Sequence, residues 1–315
     1  MLRVVIIGYG ETASSLMLGV MKTRHKLVGI KRWEKSNPLL GFLKDTLWPD
    51  QLTTLIKANG IKEIQAESVN SPAFLREIRA LKADVLLIGS WGEILKKNAI
   101  ISPKIACINC HPSLLPKHRG PNPYASAIIY GETKTGITFH LVDEGIDTGA
   151  VLLQKEIPIT QEDTGGSLRT KCAFAANDAV EELLDNLEGA KMLPVKQDEK
   201  IASYFPQLTE KDARINWQEL PENIHNRIRG LNPWYTAYTK HKDQFLTIGK
   251  SQIVTLKNPV YEAGKIIYRK NNVLIVSTLE PDRAVQLNNV GVYGAYGLFP
   301  SLYINNNINI GDSLK

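Results

Sequence analysis

Four consecutive apolar residues, Val4-Val5-Ile6-Ile7, stand almost at the start of the chain and stop at Gly8-Tyr9-Gly10. A run that short, β-branched and unbroken by polar residues suits a strand covered on both faces. The pattern recurs: Leu2 to Ile7, Lys26 to Ile30, Asp84 to Ile88, Ile105 to Cys110 and Gly136 to Val142 all read as strands. Helical periodicity lies between them, in a segment through Met21 and again over Ala73–Leu81. Strands alternating with helices predict an α/β fold with a doubly wound, mostly parallel sheet. Ligands of such sheets bind beyond the carboxyl ends of the strands.

A long helix is expected over Glu162–Leu187, with Ala173, Ala175, Ala176, Val180, Leu183 and Leu184 supplying much of its apolar face. Met192 to Pro206 shows little periodicity. One helical stretch follows, Pro221–Leu231, and then the short strands Phe245–Gly249, Gln252–Leu256, Gly264–Tyr268 and Val273–Ser277. Close spacing and turn residues between them suggest a small β-barrel. The expected division is an N-terminal domain over 1–190, a linker over 191–205 and a smaller C-terminal domain over 206–315.

The net charge is +6, and residues 206–315 hold 13 Lys/Arg against 9 Asp/Glu. That balance suits an anionic ligand without singling out nucleic acid. Three cysteines, an odd number, argue against a disulfide framework. The first apolar run is too short for a signal-peptide core or a spanning helix, so a cytoplasmic protein with no membrane segment is expected.

Two motifs are decoys. Gly8-Tyr9-Gly10 after a first strand invites a dinucleotide-binding reading, but Lys31 and Arg32 follow the second strand where an acidic residue belongs. Cys107-Ile108-Asn109-Cys110 has redox spacing, yet it lies inside a strand and has no second CxxC, so two buried thiols are expected. The remaining histidines, His140 among them, show no ligand spacing, and no metal is called for.

The chemistry concentrates between Asn109 and Asp147. Asn109 and His111 are two apart at the end of a strand and share a face, and Pro112 stops the strand there. A turn-rich loop follows, Leu115 to Pro123, carrying Lys117, His118 and Arg119. Downstream, Asp143-Glu144-Gly145-Ile146-Asp147-Thr148-Gly149 makes a turn that brings Asp147 toward the same edge. An amide, an imidazole and a carboxylate supply an oxyanion partner, a proton acceptor and a group that tunes it, which is what acyl transfer to an amine requires.

These residues resemble the formyltetrahydrofolate-dependent formyltransferases: the Asn-x-His pair, the Ser-Leu-Leu-Pro element at Ser113–Pro116 and the Asp in a Gly-rich turn. The likeness runs to about Leu256. It includes Ser90-Trp91-Gly92-Glu93-Ile94-Leu95, similar to the family's folate-pocket loop, and Leu208–Trp217 and His225–Trp234, similar to its two-domain members. The resemblance implies a Rossmann-like catalytic domain, an OB-like C-terminal domain and N10-formyltetrahydrofolate as cosubstrate, without a metal. It implies catalytic roles for Asn109, His111 and Asp147. The pterin would be held by Ser90, Trp91, Gly92, Glu93, Ile94 and Leu95 and by Val142, Asp143, Glu144 and Gly145. Ser113, Lys117 and Arg119 are candidate acceptor contacts, the two cations for a nucleotide diphosphate or a tRNA phosphate.

Two acceptors are implied, the amine of a nucleotide-linked aminosugar and that of initiator methionyl-tRNA. After the second strand, Lys31 to Leu43 lacks the Arg-Pro-x-Gly-Arg-Gly pattern of the tRNA enzymes, and Val69 to Ile78 looks more like the aminosugar enzymes. The aminosugar is therefore the expected acceptor, with methionyl-tRNA the alternative. A non-catalytic folate- or RNA-binding module is a third reading, against which the intact Asn109, His111 and Asp147 argue. A homodimer is a candidate assembly.

Overall fold

The computed structural model describes residues 1–33, 50–294, 297 and 300–315. Most of the loop that bears on acceptor choice, residues 34–43, lies outside them. Two compact units make up the chain. Met1–Pro123, Lys134–Pro158 and Arg169–Phe205 form the first, and Tyr124–Thr133, Ile159–Leu168 and Pro206–Lys315 the second.

The first unit is built on strands β1 (Arg3–Gly8), β2 (Lys26–Arg32), β3 (Val85–Gly89), β4 (Ala106–His111), β5 (Lys134–Leu141) and β6 (Val151–Pro158). They lie in the order β2-β1-β3-β4-β5-β6. The first four run parallel, and β5 and β6 add antiparallel. The sheet is thus mixed, parallel at one side and antiparallel at the other. Val4, Val5, Ile6 and Ile7 have no exposed surface, as a strand covered on both faces requires.

Helix Gly10–Lys22 packs close to this sheet. Ala13, Leu16, Met17 and Val20, spaced three and four apart, are all fully buried. Leu16, Met17 and Val20 each contribute about 1.5–3 kcal/mol on removal from water. The helix ends at Thr23, which turns extended and returns both its N–H and its Oγ1 to the carbonyl of Val20. Gly8 permits the close approach of β1 and β3 at this point. A Cβ there would lie 2.0 Å from the Gly89 carbonyl oxygen. Gly8-Tyr9-Gly10 is therefore a strand-to-helix turn.

Residues 191–205 attach to the first unit. Val195 exchanges backbone hydrogen bonds with Val151, both 2.8 Å, and Ser203 pairs with the loop at Pro116–Arg119.

In the second unit, β7 (Ala237–His241), β8 (Gln244–Thr255), β9 (Ile266–Lys270), β10 (Val273–Ser277) and β11 (Arg283–Val292) form an antiparallel sheet in the order β7-β8-β11-β10-β9. The two expected strands around Gly249 are one, because β11 pairs along β8 from Leu246 to Thr255. The C-terminal residues join the two edges of this sheet. Lys315 exchanges hydrogen bonds with Lys240 beside β7, while Asp312 and Leu314 pair with Ile266 and Gly264 beside β9. This closes the barrel expected from the short strands. Trp217, Ile228, Leu246, Leu274, Val285 and Leu287 fill it. Among the described residues, no helix is long and apolar enough to cross a membrane.

Candidate active site

β4 ends at His111 between parallel β3 and antiparallel β5. Asn109 sits directly opposite His140 of β5, and His111 opposite Thr138. Opposed residues of an antiparallel pair share a face, so Asn109, His111 and His140 meet on one side. The turn Asp143–Gly149 brings Asp147 onto the same three. Gly149 is needed at its close, since a Cβ there would stand 1.7 Å from the Leu141 carbonyl oxygen.

Hydrogen bonding assigns the tautomers. His111 is 5% exposed, and its Nε2 lies 2.8 Å from the His118 carbonyl oxygen, which can only accept. Nε2 therefore carries the proton and Nδ1 the lone pair. That lone pair faces the Asp147 Oδ2 at 3.5 Å. His140 is the reverse. Its Nδ1 donates to the Leu141 carbonyl at 2.8 Å, so its Nε2 accepts from the Asn109 Nδ2 at 3.1 Å. The other Asn109 amide hydrogen goes to Asp147 Oδ1 at 3.3 Å. The backbone N–H of Gly120 donates to Asp147 Oδ2 at 2.9 Å.

Charge follows from these contacts. Burial lowers the His111 pKa below its ordinary 6.5, partly offset by Asp147 and the His118 carbonyl, so the ring is neutral near pH 7. Burial alone would raise Asp147, but the positive charge that a protonated His111 places beside it, with the His140 contact and the Gly120 N–H, outweighs it and brings the pKa to about 2. A neutral imidazole with a lone pair aimed at a carboxylate is a base whose protonated form is already provided with a counter-charge. Asp147 (φ 55°), His118 (φ 57°) and Ser90 (φ 62°) are all in the left-handed region, and such residues gather at functional sites.

The cysteines of the CxxC are buried and free, and burial raises Cys107 to about 12. They are inert thiols. Elsewhere His25, Asp185 and Glu188 bring ligand atoms within 4.8 Å of one another, but Arg24 ion-pairs with both carboxylates and the N-terminal ammonium with Glu188.

The Ser90–Leu95 loop leaves β3. Glu93 turns inward and holds the neighbouring loop through the Ser68 hydroxyl, the Val69 N–H at 3.2 Å and the Asn70 amide at 2.8 Å. Leu95 packs into the core, and Ile94 is exposed. Trp91 meets Trp33 edge to face at 4.9 Å between centroids, and its buried Nε1 has no acceptor among the described residues. Lys31, Arg32, Trp33, Glu67 and Ser68 line, with Trp91 and Glu93, a cavity of about 200 Å³. Across the site, Val142 is tied to Cys107. Asp143 accepts from Gly145 and Thr148 within its own turn, and Glu144 is exposed.

Of the acceptor-side candidates, Ser113 is fully buried and donates to the Lys117 carbonyl at 2.6 Å. Arg119 is buried against Gln197 and Glu199. Lys117 is exposed. Two participants are not visible in the sequence, His140 and Gln197. The first depends on strand register, which no spacing reports, and the second lies in the stretch of little periodicity.

Two family models match the chain: "Formyl transferase" over residues 3–184 and "Formyl transferase, C-terminal domain" over 207–292. The chain belongs to the formyl transferase family. It is a folate-dependent N-formyltransferase, with N10-formyltetrahydrofolate as cosubstrate. The methionyl-tRNA formyltransferase of Caldanaerobacter subterraneus is 40% identical over 196 residues, 62% of this chain and 63% of that one. The methionyl-tRNA formyltransferase of Acetivibrio thermocellus is 33% identical over 276 residues, 88% of each chain. Among solved structures, an N-formyltransferase from Helicobacter canadensis in complex with folinic acid and dTDP-3-aminofucose shares the fold. Its TM-score is 0.70 at 20% identity, covering 93% of this chain and 100% of that one. Residues 185–206 fall between the two family matches.

Proposed function

We propose that Asn109, His111 and Asp147 carry the formyl transfer and that the acceptor is the amino group of methionyl-tRNA. The observation that carries the catalytic reading is the His111 tautomer. With Nε2–H committed to His118, the Nδ1 lone pair is the only proton acceptor the ring offers, and it stands 3.5 Å from an ionised Asp147.

Bound at this site, the folate supplies the formyl group and its N10 is the leaving nitrogen. His111 Nδ1 takes the proton released as the acceptor amine forms its C–N bond, and Asp147 offsets the imidazolium charge. The same Nδ1–H then returns the proton to N10 as the old C–N bond breaks. Asn109 donates an amide hydrogen to the carbonyl oxygen on which negative charge builds, a contact worth about 2.7–4 kcal/mol in comparable sites. Its longer bond, to Asp147, is the one to give way, while His140 keeps the amide oriented. The Ser90–Leu95 and Val142–Gly145 loops fit a pterin. Trp91 offers an indole N–H without an acceptor among the described residues, and the Asp143 turn offers a short wall of backbone. Lys117 is the exposed cation for an acceptor phosphate, and Ser113 and Arg119 shape its loop.

For the acceptor, support comes from the relatives matched over most of their length, which are named for methionyl-tRNA. The excess of four positive charges in residues 206–315 agrees with a polyanionic partner. This moves the reading away from the aminosugar expected above. One observation keeps the aminosugar as a second reading, the missing Arg-Pro-x-Gly-Arg-Gly pattern after Ile30. Release of tetrahydrofolate on incubation with N10-formyltetrahydrofolate and each acceptor separates the two. Turnover with methionyl-tRNA alone, with binding that falls steeply as salt rises, is the expected result. Turnover only with a nucleotide aminosugar overturns the acceptor assignment.

A further inference from the structure

Residues 194–205 contain a single 3-10 turn, Glu199–Ile201, yet they hold one of the most fully engaged side chains near the site. Gln197 is 5% exposed. Its Nε2 donates to the carbonyl oxygens of Asp147 and Gly149, each at 2.8 Å. Its Oε1 accepts from Arg119 Nε at 3.1 Å and Nη2 at 2.8 Å. A primary amide has two donor hydrogens and two acceptor lone pairs, and here all are used. Arg119 is completed by Glu199, at 2.9 Å from Nη1 and 2.8 Å from Nη2.

The same segment grips the neighbouring backbone. The His118 N–H donates to Ser203 Oγ, and the Arg119 N–H to the Ser203 carbonyl, each at 2.9 Å. Phe205 stacks on the His118 ring at 5.0 Å. Gln197 thus joins the two loops that face His111. One loop gives the His118 carbonyl to His111 Nε2 and the Gly120 N–H to Asp147. The other carries Asp147 itself, in a left-handed conformation that costs a non-glycine residue about 1–2 kcal/mol and persists only when its surroundings hold it.

We propose that Gln197 is a positioning residue for the transfer, setting the separation of the His111 imidazole and the Asp147 carboxylate by clamping the loop that carries Asp147 to the loop whose His118 carbonyl orients His111. The proposal rests on the reading of His111 and Asp147 given above.

Gln197→Glu tests it. The carboxylate keeps the shape and gives Arg119 a stronger acceptor, but it cannot donate to the Asp147 and Gly149 carbonyls. A residue that only secures Arg119 is rescued by this change, and one that positions Asp147 is not. The titratable groups facing His111 are Asp147 from its turn, His140 from β5 and His118 from the loop after β4, and of these only Asp147 favours the protonated ring. The new carboxylate of Gln197→Glu would itself favour the protonated ring, so the pH shift is read in Gln197→Met, where loss of the clamp without added charge moves the acid limb of kcat/KM to lower pH.

The expected result in Gln197→Glu is a fall in kcat of about tenfold to a hundredfold, the scale of a 1 Å misplacement, with both KM values held. Gln197→Met, which keeps the length and adds no charge, should show the same fall with the acid limb displaced downward. Wild-type kcat in Gln197→Glu overturns the proposal, and so does a lowered kcat in Gln197→Met with an unmoved acid limb. His111→Ala run alongside keeps the two ideas apart. If it retains turnover, the reading of the site fails. If it is inactive while Gln197→Glu behaves as wild type, only the positioning role fails.

Discussion

Replacing Asp147 by Asn removes one charge and leaves the backbone turn in place. Its Oδ2 lies 3.5 Å from His111 Nδ1. At an effective dielectric constant of about 20, a unit charge at that separation favours the imidazolium by about 5 kcal/mol. An amide dipole keeps part of this, so the expected fall in kcat is about 10² to 10⁴-fold, at 1.36 kcal/mol per decade. The pH profile should move as well. Burial already depresses the His111 pKa, and Asp147 is the first influence that opposes it. Without that carboxylate the pKa falls further, and the acid limb of kcat/KM shifts to lower pH under a lowered plateau. Stopped-flow measurement of tetrahydrofolate release, with folate affinity measured separately, reads both effects. A variant with less than about a fivefold loss would refute the counter-charge argument, because a contact of that energy cannot be removed so cheaply. An acid limb moved upward would refute it on sign alone.

Other expectations follow from the same structure. Asn109→Ala should lower kcat by about 10²–10³-fold with little change in folate affinity, measured under saturating substrates. Leu16→Ala, in the fully buried stripe of helix Gly10–Lys22, should cost about 2–5 kcal/mol in denaturant unfolding. Deleting residues 311–315 removes the pairing that joins β7 to β9. Amide exchange at Lys240 and Ile266 should then accelerate sharply, while β1 and β3 keep their protection.

Much of this fold can be read from the chain because its signals are local. Val4–Ile7 announces a buried strand by its unbroken apolar run, and Asn109 and His111 announce a shared face by being two apart. Asp147 is legible because Gly145 and Gly149 mark its turn. What escaped depends on register or on irregular backbone. β11 keeps period two through Val285 and Leu287, then passes through Asn289 in the left-handed region before Val290 and Val292, so its alternation reads as interrupted. His140 becomes a partner of Asn109 only through the β4–β5 register. Gln197 acts through backbone carbonyls 48 and 50 residues away, a relation that no composition or periodicity encodes. The Ser90–Leu95 loop is intermediate. Its place after β3 is evident from the sequence, but the inward turn of Glu93 toward Ser68–Asn70 is set by packing.

The central claim is that a neutral His111 takes the amine proton at Nδ1, and single-turnover formyl transfer by His111→Ala tests it most directly. With N10-formyltetrahydrofolate bound and methionyl-tRNA in excess, the rate should fall by orders of magnitude while folate affinity stays at the wild-type value. Transfer at near wild-type rate would show that the proton goes elsewhere and that the imidazole is a structural neighbour.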